Sequence, residues 1–495
     1  MLYGCLEIRA DQRRLLALLR YLGYPVLVTL TAAIDSPSRC ATARRLRRLT
    51  ATISCRSPAR RRNHLYADEA HTGRPRHRCH IMRIQIVTAG TLGSVAPYTG
   101  LGHRLRTEGH YVEVVTHAKF SGVVACCGLQ MRVLEADPFE QLIGAHNKFH
   151  HGDRSPAGVL RLIRASQHAA LGLVDGILDA VDPTADLILL STIVAPIGTV
   201  VAQYHGIPSM GVFLQPDTPT TAFSPCVTAW KPPGNGNRVR GRVVHAALDS
   251  LYGPANRRLH ARLGLPRRSG HRLRRIRERS EWPVWHGYSP AVIPRPVDWH
   301  PQLRVVGYWW PHTCPHWTAP ALVTDFLSSG PPPVFIGFGS MMPGNREQLS
   351  DIAGRALRQA RLRGVVQSGW AGLSVMNDDV ITIGNLPHEW LLPRMAAAVH
   401  HAGAGTTGAG LRAGVPAVPV PVLTDQPWWA SRLVQLGVSP EVVPHSQLTP
   451  DRLAAAMTAA TSHPRFGRRA AELAIRLADE DGAGAVSRAV ATLTR

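Results

Sequence analysis

Residues 396–426 constrain the fold of this chain more than any other stretch. They read AAAVHHAGAGTTGAGLRAGVPAVPVPVLTDQ. The apolar run at 396–399 has the length and composition of a buried strand. A small-residue turn, His401 to Thr407, comes next. A helix-compatible segment then runs to Arg412, where Gly414 and Pro416 stop it. Ala417 to Val422 is a second apolar strand. Two buried strands joined through one helix form a parallel βαβ unit. Glycines at 403 and 405 let backbone N–H groups approach a phosphate closely, and the helix N-terminus behind them adds its positive end. Asp425 and Gln426 follow the second strand, at the edge where open α/β sheets hold ligands. Glycine spacing alone fits an ordinary βαβ unit and a diphosphate cradle equally well.

The same alternation recurs along the chain. From Met82 the strands read Arg83–Ala89, Tyr111–Thr116, Leu129–Leu134, Asp186–Ser191 and Pro208–Leu214, with helices between. Gly90 to Ala96 reads as a glycine-rich loop, with Pro97 placed as the first helical residue. A second series begins after Pro331-Pro332-Pro333, with strands Val334–Phe338, Val365–Ser368 and Val380–Ile383 and a short helix His388–Met395. Thr449 to Arg495 is largely helical in pattern. Residues 138–165 and 216–285 break the rhythm and read as inserted loops, where specificity usually resides. The expected fold is therefore α/β, with two doubly wound Rossmann-like halves facing a central cleft.

A chain of 495 residues exceeds one core. Its formal charge of +23 is uneven: residues 1–80 hold sixteen arginines against five acids, a local +11 that leaves +12 for the rest. A moderately basic body suits anionic partners such as a sugar nucleotide or an acidic membrane face. No basic helix or aromatic-basic motif of a nucleic-acid reader is present, so no nucleic-acid partner is expected. The eight cysteines show no paired C-x-x-C spacing. Neither a metal site nor a disulfide framework is expected, and a reducing cytoplasm is the default. Residues 1–81 do not read as a domain. Arg20, Gly23 and Pro25 interrupt the apolar run Leu15–Ile34, and Met82 stands directly before a clean strand. The expectation is a start near Met82, with 1–81 a disordered tail or upstream sequence.

Several separated motifs then resemble one family. They are TAGTLGSVAP (Thr88–Pro97), SPAVIPRPVDWHPQLRVVGYWW (Ser289–Trp310), PVFIGFGSM (Pro333–Met341), SGW (Ser368–Trp370), LPHEWLLPR (Leu386–Arg394) and the HHAGAGTT…DQPWWA stretch. From Met82 onward the chain is similar to the GT-B glycosyltransferases of the UDP-glycosyltransferase superfamily. Its closest likeness is to the branch of sterol glucosyltransferases and bacterial antibiotic or glycolipid glycosyltransferases. The resemblance implies an acceptor-binding domain at 82–315, a linker at 316–333 and a nucleotide-sugar domain at 334–495. It implies that His401, Gly403, Ala404, Gly405, Thr406 and Thr407 hold the diphosphate, with Gly339 and Ser340 as the facing loop. Leu386 and His388 lie where the family holds uracil and ribose, and Trp370 is either core or cleft wall. Asp425 and Gln426 match the pair that hydrogen-bonds the sugar. His400 reads as a core residue at a strand end, and Trp428 and Trp429 as helix packing.

The implied reaction moves a hexose, glucose first, from a UDP-sugar to a hydroxyl of a lipid, sterol-like or polyketide-type acceptor, with inversion and without a metal or other cofactor. The implied setting is cytoplasmic, in secondary-metabolite or cell-envelope glycolipid synthesis. The Arg-rich segment Arg267–Arg279 is either a solvated face or a contact with the inner, anionic membrane face. The family's first loop usually reads G-[ST]-R-G-D-x-x-P, with the Asp as base. Here Leu92 replaces the Arg and Ser94 the Asp. A serine hydroxyl is too weak a base to act unaided. His150, His151 and Asp217 are substitute candidates; the alternative is an impaired GT-B protein that binds nucleotide sugar without efficient transfer. A nicotinamide-dependent oxidoreductase fits less well, because the first loop lacks G-x-G-x-x-G spacing and no acid closes the second strand.

Overall fold

Each strand of the interior is built from residues that bury both faces, which is what a sheet covered by helices on both sides requires. Leu187–Leu190 (LILL), Val334–Gly337 (VFIG) and Ala397–His400 (AAVH) are buried throughout. The computed structural model describes residues 81–135, 137, 156–339, 346–369, 372–422 and 424–493. The expectations for residues 1–80, and for Ser340, Trp370, His150 and His151, lie outside these.

In the first half, β1 (Arg83–Val87), α1 (Leu92–Thr107), β2 (Tyr111–Thr116), α2 (Ser121–Cys126) and β3 (Gln130–Val133) come first. Then follow α3 (Pro156–Ala180), β4 (Leu187–Leu190), α4 (Ala195–His205), β5 (Ser209–Phe213), α5 (Asn235–Leu251), α6 (Gly253–Arg262), α7 (Gly270–Arg279), β6 (Val284–His286) and β7 (Leu303–Val305). The seven strands pair in the order β3-β2-β1-β4-β5-β6-β7, and all are parallel. The second half holds α8 (Ala321–Ser328), β8 (Val334–Gly337), α9 (Arg346–Ala360), β9 (Gly364–Gln367), β10 (Val380–Ile383), α10 (His388–Leu391) and β11 (Ala397–His400). It continues with α11 (Ala404–Ala413), β12 (Ala417–Pro419), α12 (Gln426–Gln435), α13 (Pro450–Ser462), α14 (Pro464–Ala478) and α15 (Gly482–Leu493). Its five strands run β10-β9-β8-β11-β12, again parallel. Strand order reverses between β1 and β4 in one sheet and between β8 and β11 in the other, so each sheet opens a crevice there.

Three local expectations change. Helix α1 begins at Leu92, and Pro97 lies inside it. The turn Ser94 N–H to Thr91 O, 2.8 Å, starts the helix five residues early, and the proline only withholds a donor from the Gly93 carbonyl. Residues 216–285 contain three helices, α5 to α7, rather than continuous loops. Arginine is a good helix former, and the Ser269 hydroxyl caps α7 by accepting from the Arg272 amide at 3.2 Å. Only Leu273 of α7 is fully buried, so the helix carries almost no apolar stripe to read. The scatter of the cysteines is also qualified: Cys126, at the end of α2, faces Cys314 beyond β7, one long-range pair with Cα atoms 5.2 Å apart. That spacing suits a disulfide.

The halves are interlocked. Val486 and Val490 of α15 belong to the same buried cluster as Ile84, Ile86 and Leu101. Ser487 donates to Glu108 of α1, and the Trp309 indole donates to the Gly482 carbonyl at 3.3 Å. The last helix therefore completes the first half's core. Helix α1 is pressed against the connector leaving that half, where a Cβ on Gly100 would overlap the Trp310 carbonyl. Gly100→Ala should consequently cost about 1–3 kcal/mol of stability, or more, as overpacking does; denaturant unfolding measures it, and an unchanged midpoint would contradict this packing.

Candidate functional site

Glycine decides the geometry of the second crevice. Gly339, just past β8, has φ +64°, which a side-chain-bearing residue rarely adopts. A Cβ there would stand 2.7 Å from the His401 ring, and one at Gly403 would stand 2.5 Å from His401 Nε2. The His401 ring thus lies between two bare backbones, one from each strand of the switch point. Ala402 between them is held at φ +60° and is fully buried. A residue with a Cβ kept in this region stores strain, a recurrent mark of functional turns. Gly403 then precedes α11, and no side chain caps that helix. Its free N–H groups, at Ala404, Gly405 and Thr406, leave the positive end of the dipole open.

Two polar atoms in this turn are buried without a partner: His401 Nδ1 and Thr407 Oγ1. Burial, reinforced by His388, lowers the His401 pKa to about 4, against a partial offset from the Gly337 carbonyl. His388, at the start of α10, is likewise pushed to about 4 by burial and packs edge-on against Phe335. Leu386 packs beside it on the same cluster. His400 differs. It is 1% exposed, and its Nδ1 accepts from the Ala402 amide at 3.0 Å, as a core residue would.

Asp425 occupies the N-cap position of α12, without a side-chain cap bond, just beyond Thr424, which has φ +56°. Its Oδ1 accepts from the Thr424 hydroxyl at 3.0 Å and its Oδ2 from the Trp429 indole at 3.1 Å. Burial raises its pKa, while these bonds and one from the Gln215 side chain oppose that shift. Gln426 is 2% exposed, and its Oε1 accepts from the Val422 amide at 2.8 Å. This oxygen holds the strand-to-helix loop in shape. The two residues of the pair are therefore not equivalent: Asp425 is the more open one.

The first crevice comes to meet the second. A Cβ on Gly405 would lie 3.8 Å from the Gly93 carbonyl, so the N-terminus of α11 faces the start of α1 across the cleft. Ser94 is one residue on and half-buried, with its carbonyl accepting from the Thr88 hydroxyl at 2.8 Å. Asp217 stands in the loop after β5. Its carbonyl lies 2.8 Å from His245 Nε2 and its Oδ2 lies 3.5 Å from the same atom. The structure thus brings together Gly339, His401, Gly403, Ala404, Gly405, Thr406 and Thr407, with Gly93, the neighbour of Ser94, opposite Gly405. Gln215, Cys226 and His245 escaped sequence reasoning. Gln215 had a usable signal, since it follows β5 more closely than Asp425 follows β12.

The arginine run also resolves. Arg274 pairs with Asp249 at 3.1 Å and Glu278 at 2.7 Å, and Arg277 turns inward toward the Thr199 hydroxyl at 3.5 Å. Arg267, Arg268, Arg272, Arg275 and Arg279 remain exposed. Among the described residues no helix is long and apolar enough to cross a membrane.

Two parallel sheets whose crevices face each other across a glycine-lined anion turn define a glycosyltransferase of the GT-B fold. Solved structures agree on that fold. The kitacinnamycin glycosyltransferase superposes with a TM-score of 0.61 at 19% identity, covering 83% of this chain and 98% of that one. A Streptomyces sp. SF2575 glycosyltransferase solved with thymidine diphosphate gives 0.56 at 20%, covering 83% and 99%. Residues 366–492 match the C-terminal domain of the erythromycin biosynthesis protein CIII-like family. A sterol 3-beta-glucosyltransferase of Arabidopsis thaliana is 32% identical over 86% of this chain and 68% of its own length. The O-mycaminosyltylonolide 6-deoxyallosyltransferase of Streptomyces fradiae is also 32% identical, over 81% of this chain and 95% of its own length. The chain belongs to the UDP-glycosyltransferase superfamily, in the branch that joins sterol glucosyltransferases to antibiotic glycosyltransferases.

Burial lowers the His400 pKa from 6.5 to about 3, with His401 and His388 adding to the effect. The folded state then refuses a proton that the unfolded chain accepts below pH 6.5. Stability is full above that pH and falls as the solution is acidified toward pH 4, by up to about 1.4 kcal/mol per pH unit for this residue. Thermal unfolding followed from pH 7 to 4 should show this slope, and His400→Gln should flatten it by that amount; parallel slopes would contradict the burial.

Proposed function

We propose that this enzyme transfers a hexose, glucose in the first instance, from a UDP-sugar to a hydroxyl of a sterol-like, lipid or polyketide-type acceptor, with inversion at the anomeric carbon. The observation that carries this reading is the turn around His401. A neutral imidazole with an unpartnered nitrogen, a buried threonine hydroxyl and an uncapped helix N-terminus converge on one spot. Such a spot stabilises the charge that develops on a leaving diphosphate. The account needs no metal ion, because fixed dipoles and hydrogen-bond donors meet that charge.

Asp425 is assigned to the sugar hydroxyls. Three donors hold its carboxylate in place, and it can accept further hydrogen bonds. Gln426 steadies the turn through Val422 and has a secondary part. His388 and Leu386 flank the base and ribose. The two relatives, a sterol 3-beta-glucosyltransferase and an O-mycaminosyltylonolide 6-deoxyallosyltransferase, support a bulky hydrophobic acceptor. A cytoplasmic setting at the inner membrane face belongs to the same reading, with Arg267, Arg268, Arg272, Arg275 and Arg279 lying along anionic lipid, each worth about 1 kcal/mol near such a surface.

A thermal-shift screen of UDP- and TDP-sugars tests the donor: at a hundredfold excess over Kd, binding stabilises by about 2.7 kcal/mol. Asp425→Ala should then reduce transfer from UDP-glucose on the order of 100-fold, from the loss of charge-assisted hydrogen bonds of about 1.5–3 kcal/mol each, while the native melting temperature is retained. No shift with any pyrimidine diphosphate would sink the donor assignment. For the membrane contact, phosphatidylglycerol vesicles should sediment the native protein and lose it when Arg272, Arg275 and Arg279 become Glu; equal sedimentation with neutral vesicles would refute it.

A further inference from the structure

Ser94 occupies the place of a base and cannot serve as one, so the proton of the acceptor hydroxyl needs another destination. The groups that can take it must lie on the first-half side of the cleft, near Asp425. One cluster meets this condition. The loop after β5 and one face of α5 line a small hollow of about 20 Å³, whose walls include Asp217, Phe223, Cys226, Val244 and His245. The wall is rigid. A Cβ on Gly241 would stand 2.7 Å from Pro219, Asp298 accepts from the Thr221 amide at 2.9 Å, and the Trp428 indole donates to the Ser224 carbonyl at 2.9 Å.

The hollow adjoins the donor side. Ser224, in its wall, accepts from the Trp428 indole at 2.9 Å, and the neighbouring Trp429 indole donates to Asp425 at 3.1 Å. The Cys226 thiol lies close enough to Asp217 and Asp425 for both charges to push its pKa up, on top of burial.

Within this wall His245 is 8% exposed. Its Nε2 lies 2.8 Å from the Asp217 carbonyl and 3.5 Å from Asp217 Oδ2. Both are acceptors, so Nε2 carries the hydrogen in the neutral ring and Nδ1 carries the lone pair. Nδ1 is buried and has no partner. A carboxylate on one ring nitrogen and an unused lone pair on the other is the arrangement of an oriented general base. We propose that His245, positioned by Asp217, takes the proton from the acceptor hydroxyl. The proton moves to Nδ1, the freed oxygen lone pair forms the bond to C1, and the C1–O bond to UDP breaks with its electron pair leaving on the diphosphate. The imidazolium then returns its proton to solvent. This assignment rests on the transferase reading above.

The charged and titratable surroundings of the pair are Asp217 and Cys226 on the loop, His286 on β6, and Arg274 and Arg277 on α7. Burial lowers the His245 pKa, but the Asp217 charge and hydrogen bonds outweigh it, and the net direction is upward. That makes the ring a stronger base than a free histidine.

The test uses UDP-glucose with two acceptors, cholesterol, whose hydroxyl needs a base, and para-nitrophenol, which is largely ionised near neutral pH. His245→Asn should reduce transfer to cholesterol by about 100-fold or more and change transfer to para-nitrophenol by less than about threefold. Asp217→Asn should move the acid limb of the cholesterol rate profile to lower pH, which a merely structural role would not do. Thermal shift by UDP should match the native protein in both variants. Equal losses on both acceptors, or no loss on either, would overturn the proposal. If the native protein binds UDP yet glycosylates neither acceptor, the transferase reading fails and this assignment falls with it.

Discussion

The working geometry hangs on an aromatic seam between the halves. Trp428 and Trp429 are wholly buried in the cluster that also contains Phe223, Tyr288 and Trp299. Trp428 lies 4.6 Å from Trp230 and 5.5 Å from Phe223, both on the loop after β5. Aromatic pairs of this kind contribute beyond the area they bury. The two adjacent indoles serve opposite sides. One N–H holds the Ser224 carbonyl of the first half, and the other holds the Asp425 carboxylate of the second. A dipeptide on one helix therefore fixes the Asp425 carboxylate relative to the loop that carries Asp217. Sliding one half past the other would break the Trp428–Ser224 bond and open the seam.

The two sides of the cleft handle charge differently. On the second half, His388, His400 and His401 are all driven toward the neutral form by burial. Attraction for an anion there comes from oriented dipoles and hydrogen-bond donors rather than from full charges. Such a site needs little reorganisation when charge develops on a ligand. On the first half, Asp217 is held below the usual carboxylate range by His245, His286 and Arg277, against the opposing effect of burial. A fixed negative charge sits beside a histidine, which is what proton transfer requires.

The alternation of strand and helix was legible because buried parallel strands announce themselves as short apolar runs, and β2 and β10 fall within the residues expected. The turn at His401 was legible for the same reason that it can exist: only glycine permits the approach of Gly339 and Gly403 to the ring. What sequence could not show was long-range. Gln215 meets Asp425, and Asp217 meets His245, across separations that no local pattern encodes. Helices α5 to α7 were hidden because their surface is arginine and their buried faces are narrow. Pro97 misled because the helix start was set by the Thr91 turn instead of by the proline.

Helix α15 has a consequence for the order in which the protein can be made. The sheet of β1 to β7 is translated first, yet Val486 and Val490, which seal its core, emerge only after the whole second half. During synthesis that sheet waits with part of its apolar surface uncovered, while the whole second half is added. Nascent domains usually close as they emerge; this one stays open to off-pathway contacts until α15 arrives.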